Sequence, residues 1–104
     1  MDIEDIKGKV LRHRQICFML NSIYANKNND YGDSFGLSFK EWGITAAMVR
    51  LSDKWNRLKT LTQGTDQKVR NESIEDTILD MCNYLIMTYM ELTETKEEEQ
   101  NDAR

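Results

Sequence analysis

Between Ile78 and Met90 apolar residues fall on nearly every side of a helix. Ile74, Ile78, Met81, Leu85, Tyr89 and Leu92 form one face at spacings of three and four, and Leu79, Cys82, Ile86 and Met90 form another. Such a helix must be covered on several sides. A chain of 104 residues with three helical segments offers too little cover. The segment is therefore expected to pack against a second subunit in a symmetric dimer or tetramer. The chain has no proline, which argues against a sandwich or barrel built on many turns.

Two further helical patterns precede it. In the first, from about Ile3 to Tyr24, Ile6, Val10, Cys17, Leu20 and Tyr24 share a face, and Asp2, Glu4 and Asp5 suit the positive N-terminal end. The turn-forming run Asn26-Lys27-Asn28-Asn29-Asp30-Tyr31-Gly32 is expected to stop it. Ser38 and Glu41 match a capping box opening the second, as one long helix or as a short turn kinked at Gly43. From there Ile44, Met48, Leu51, Trp55 and Leu58 alternate at four and three, a coiled-coil-like seam ending at Gly64. Ser73 with Asp76 is the candidate cap of the third. The expected fold is all-α: a three-helix subunit assembling into a symmetric helical bundle. Residues 1–92 form one domain and residues 93–104 an acidic, frayed tail.

Charge narrows the function. The formal net charge is −4. Residues 91–104 carry six acids and two bases, so the rest of the chain is neutral overall. No basic field exists to draw in duplex nucleic acid. No secretory leader and no apolar run long enough for a membrane span is present, which predicts a cytoplasmic protein without a membrane partner. Cys17 and Cys82 sit in apolar pattern as reduced core thiols, and with His13 the single histidine no zinc set of the usual kind is available.

Two polar stripes interrupt the apolar helices. Arg50, Asp53, Lys54 and Arg57 share one face of the second helix; Asp76, Asp80 and Asn83 share one face of the third. Asp80 stands among apolar neighbours, and an unpaired carboxylate there costs several kcal/mol. It should face a cation, Lys54 or Arg57. One reading is a plain ion-pair network. The other is a polar pocket in which Arg50, Lys54 and Arg57 take phosphate oxygens, while Asp76, Asp80 and Asn83 accept bonds from a base or ribose. The loop Asn29–Gly36 adds two glycines, Asp33, and Tyr31 and Phe35, which with Trp42 are candidates to stack on a base.

The blocks Lys27–Phe35, Ala46–Leu58 and Asn71–Tyr84 resemble, in that order, the phage nucleotide modification associated domain 1 family. The resemblance reaches further, to the all-α nucleotide pyrophosphatases of the MazG and dimeric dUTPase type. Those are helical oligomers that hold Mg²⁺ with an acidic pair on each of two helices and split nucleoside triphosphates. It implies Glu72, Asp76 and Asp80 as metal ligands if the chain is an enzyme of that kind. The first pair has no counterpart: the second helix offers only Asp53, among Arg50, Lys54 and Arg57. Cations in place of carboxylates clasp phosphate without the metals that drive hydrolysis. The expectation is thus a binder without cofactor. Its small-molecule partner is a phosphorylated, even cyclic, nucleotide, held on Arg50, Lys54, Arg57, Asn83, Tyr31 and Asp33. By resemblance in type it is a phage sponge for a signal of bacterial immunity, acting in the host cytoplasm. The alternatives are a Mg²⁺-dependent pyrophosphohydrolase or an accessory to modified-nucleotide metabolism, and a helical protein–protein adaptor without ligand.

Overall fold

The computed structural model describes the backbone of residues 2–31, 33–64 and 67–102, and the side chains of residues 2–29, 33–64 and 70–94. The described chain is all helix: α1 (Ile3–Tyr31), α2 (Ser34–Trp42), α3 (Ile44–Leu61) and α4 (Gln67–Asp102). It divides into two compact units, Met1–Gly32 and Asp33–Arg104. Four helices replace the expected three, because the segment before Gly43 forms a helix of its own.

The first unit is α1. Asp2 opens it: its carboxylate accepts from the Asp5 backbone N–H at 3.0 Å, satisfying a donor that the first turn leaves free. The helix runs through Asn26–Asp30, where the sequence predicted a stop. Asparagine lowers helix propensity by well under ~1 kcal/mol per residue and breaks nothing by itself. With no proline or glycine between Asn26 and Tyr31, the backbone ladder continues. Cys17 is exposed on α1 and Cys82 half-buried on α4, both free thiols, so the expectation of two core thiols fails for Cys17.

In the second unit the expected cap at Ser38 is not used. Asp33 caps α2 instead, its carboxylate accepting from the Gly36 N–H at 3.0 Å. Phe35 and Phe39, one turn apart, point inward and pack with Ala47, Tyr84 and Met87 into the small core. Gly43 ends α2 and starts α3, with φ 66° and ψ −152°, while its N–H donates to the Phe39 carbonyl at 2.7 Å. Only glycine adopts that backbone without strain.

α3 and α4 pack antiparallel. Lys54 meets Asp80, and one turn back on α3 Arg50 meets Tyr84, one turn forward on α4. The line of α3 that faces its partner is Ala47, Leu51, Lys54, Leu58 and Leu61. The predicted seam is displaced to one side of that line: Leu51 and Leu58 are half-buried, but Ile44, Met48 and Trp55 stay exposed. Ala47, fully buried, wins the central position because its small side chain lets the phenylalanines of α2 approach.

α4 begins at Gln67, before the expected cap at Ser73, whose carbonyl instead accepts the Thr77 hydroxyl at 2.7 Å within the helix. Arg70 donates to the Gly64 carbonyl at 2.7 Å and ties the turn to α4. No described helix is long and apolar enough to cross a membrane.

Candidate functional site

α4 turns an unexpected face inward. Thr77 and Thr88 are buried on it, and Asp80 and Tyr84 half-buried. The threonine hydroxyls are satisfied within the helix, Thr77 on the Ser73 carbonyl and Thr88 on the Tyr84 carbonyl at 2.6 Å. Their burial therefore costs little. Ile78, Leu85, Ile86, Tyr89, Met90 and Leu92 are exposed. The polar stripe is inside and much of the apolar surface outside.

Helical spacing sorts the remaining residues into two sides. On α3, Arg50, Asp53 and Arg57 lie on one flank of the packing line and Ile44, Met48 and Trp55 on the other. On α4, Asp76, Asp80 and Asn83 lie on one flank and Ile78, Leu85 and Tyr89 on the other. Antiparallel right-handed helices turn flanks of like sense to the same side of the pair. The charged flanks therefore adjoin, and so do the apolar ones. Lys54, on the packing line, closes the charged side with its 3.4 Å bridge to Asp80.

The structure brings together Arg50, Lys54 and Asp80 from the residues singled out by sequence. Lys54 and Asp80 are each 29% exposed, so water screens the pair only in part. Arg50 donates to the Tyr84 hydroxyl at 3.5 Å, with its guanidinium carbon 5.9 Å from the ring centroid. Arg57, one turn beyond Asp53, is exposed. Asp76 and Glu72 are exposed one and two turns before Asp80, and Asn83 is buried three residues after it.

Other expected members stand apart. The Asp33 carboxylate is engaged as the cap of α2. Phe35 is buried, its ring 5.8 Å from that of Tyr84 and 6.3 Å from that of Phe39, so it is core and no platform for a base. Trp42 is exposed at the end of α2. The side chain of Tyr31 lies outside the described residues. Tyr84 is the participant that sequence reading missed. Its spacing of four from Asp80 was the available signal, since that places it on the same stripe.

Among the described residues no three of His, Cys, Asp and Glu form a group that could hold an ion. Glu72, Asp76 and Asp80 climb one helix a turn at a time, and Glu72 and Asp80, two turns and about 12 Å apart along the axis, do not reach one Mg²⁺ together. What the arrangement offers is a cationic ridge on α3 beside an acidic ridge on α4. Such a pair of ridges suits a ligand with an anionic end and hydrogen-bond donors at the other.

No curated protein and no solved structure matches the chain. A family model, nucleotide modification associated domain 1, matches residues 27–92, which hold α2, α3 and the charged side whole. With the three sequence blocks lying in order inside that span, the chain belongs to the nucleotide modification associated domain 1 family.

Proposed function

We propose that the protein binds a phosphorylated nucleotide on the charged side of the α3–α4 pair and holds it without turnover. The carrying observation is the pairing of ridges: Arg50, Lys54 and Arg57 on α3 against Asp76, Asp80 and Asn83 on α4, joined at Lys54 and Asp80. Guanidinium and ammonium groups take phosphate oxygens as charge-assisted bonds. Carboxylates and an amide accept the hydroxyls of ribose and the amino groups of a base. Membership of a nucleotide-associated family supports the ligand class. In this reading the protein is a nucleotide sponge, and a cyclic nucleotide signal of bacterial immunity is the ligand whose removal would serve a phage.

The test is incubation with a panel of linear and cyclic nucleotides, in Mg²⁺ and in EDTA. The protein is then denatured and the released ligand identified by chromatography. Intact nucleotide retained in EDTA supports storage. Diphosphate appearing only with Mg²⁺ replaces the proposal with a pyrophosphohydrolase. No retained nucleotide under either condition leaves the ridges as structural ion pairs.

A further inference from the structure

The apolar side of the α3–α4 pair plays no part in that site. Ile44, Met48 and Trp55 of α3, with Ile78, Leu85, Tyr89 and Leu92 of α4, lie on it, and every one is between 42% and 70% exposed. They stand in register: the antiparallel pairing that sets Lys54 against Asp80 and Arg50 against Tyr84 places Trp55 across from the turn of Ile78 and Met48 across from the turn of Leu85. The core formed with α2 lies elsewhere, since Met87, on the charged flank of α4, is one of its members. Only Lys59, at the edge, brings a charge to this side of α3.

The exposed area of these seven side chains is roughly 800 Å², taking about 200 Å² for a full aliphatic side chain and ~250 Å² for Trp or Tyr. The largest apolar patch of a typical monomer is about 300–600 Å². A standard protein interface buries about 800 Å² per partner, so the patch has the size of one complete half-interface. The exposed residues of both helices recur at spacings that interdigitate in a helical bundle: Ile44, Met48 and Trp55 at four and seven on α3, and Ile78, Leu85 and Leu92 at seven and seven on α4. A two-helix apolar face whose charge on α3, Lys59, lies at the edge can meet a copy of itself across a two-fold axis.

We infer that this face is covered by the same face of a second copy of the chain, giving a symmetric four-helix bundle of two α3–α4 pairs. Two copies joined in this way carry their charged sides outward, so each keeps its own site.

Sedimentation of the full chain at about 10 μM tests this, together with Leu85→Glu and Met48→Glu, one variant on each helix. The expected wild-type species holds two chains. Each variant should sediment as one chain with its helical circular dichroism kept, its self-association weakened at least ~100-fold by a charge buried at the centre of the interface. A wild-type monomer overturns the inference. A dimer that survives both substitutions overturns it too, by placing the contact elsewhere. Should Leu85→Glu unfold, Met48→Glu decides alone, because its side chain is 59% exposed and supports no core.

Discussion

Lys54 of α3 and Asp80 of α4 meet at 3.4 Å across the helix pair. The bridge gives Asp80 the cation that a carboxylate among apolar neighbours requires. Partial exposure of both side chains limits its strength to about 0.5–1 kcal/mol. Asp80→Asn keeps the shape and removes the charge. It should lower the urea-unfolding stability by that amount, whereas Asp53→Asn, at an exposed position, should change it by less than about 0.5 kcal/mol. Equal, negligible effects would show Asp80 to be merely solvated.

The start of α2 allows a sharper test. The Asp33 carboxylate accepts from the Gly36 N–H, and a Cβ at Gly36 would collide with that same carboxylate. Gly36→Ala must therefore push the cap aside. Asp33→Ala and Gly36→Ala should each cost about 1 kcal/mol by thermal or urea unfolding. The double variant should be no less stable than Asp33→Ala alone, since removing the carboxylate removes the three atoms nearest the new methyl. Additive losses would mean the two residues act separately.

Gly43 separates backbone cost from packing cost. Its φ of 66° is unsuited to other residues, yet an added Cβ there has nothing within 4 Å. Gly43→Ala should lose about 1–3 kcal/mol through backbone strain alone. Gly43→Val should do no better, since no room-dependent term is in play. A neutral Gly43→Ala would mean that the joint between α2 and α3 relaxes into ordinary helix, fusing the two.

How much of this was legible beforehand depends on range. Asp2 at the start of α1 and the all-α class follow from local chemistry and were visible, while Gly43 was legible only as one of two options, a kink or a continuous helix. The partnership of Asp80 with Lys54 was visible too, because a lone carboxylate on an apolar helix demands a cation and only the neighbouring stripe offered one. The caps at Ser38 and Ser73 misled, since the motif fits many helical interiors, and the Phe35–Phe39–Ala47 core pulled the helix start back to Asp33. The choice of packing line on α3 turns on Ala47, a small residue that apolar spacing does not weight. Tyr84 carried a local signal, its spacing of four from Asp80, but its partner Arg50 lies thirty-four residues away and no local pattern joins those two.

Nucleotide binding itself should separate the two sides of α3. Arg57 is exposed on the charged flank, and among the described residues it has no ion-pair partner to lose. Arg57→Ala should therefore leave stability within about 0.5 kcal/mol of wild type. If its guanidinium holds a phosphate, the same change removes a charge-assisted bond worth about 1.5–3 kcal/mol, or one to two decades of affinity. Lys59→Ala removes the same charge from the opposite side of the helix and should weaken binding less than ~3-fold, through the long-range field alone. Raising salt should weaken wild-type binding and narrow the gap between the variants. Calorimetric titration of both with the best nucleotide of the panel reads the difference. If Arg57→Ala and Lys59→Ala bind alike, the ridge of Arg50, Lys54 and Arg57 is a pairing surface for α4 and the nucleotide sits elsewhere.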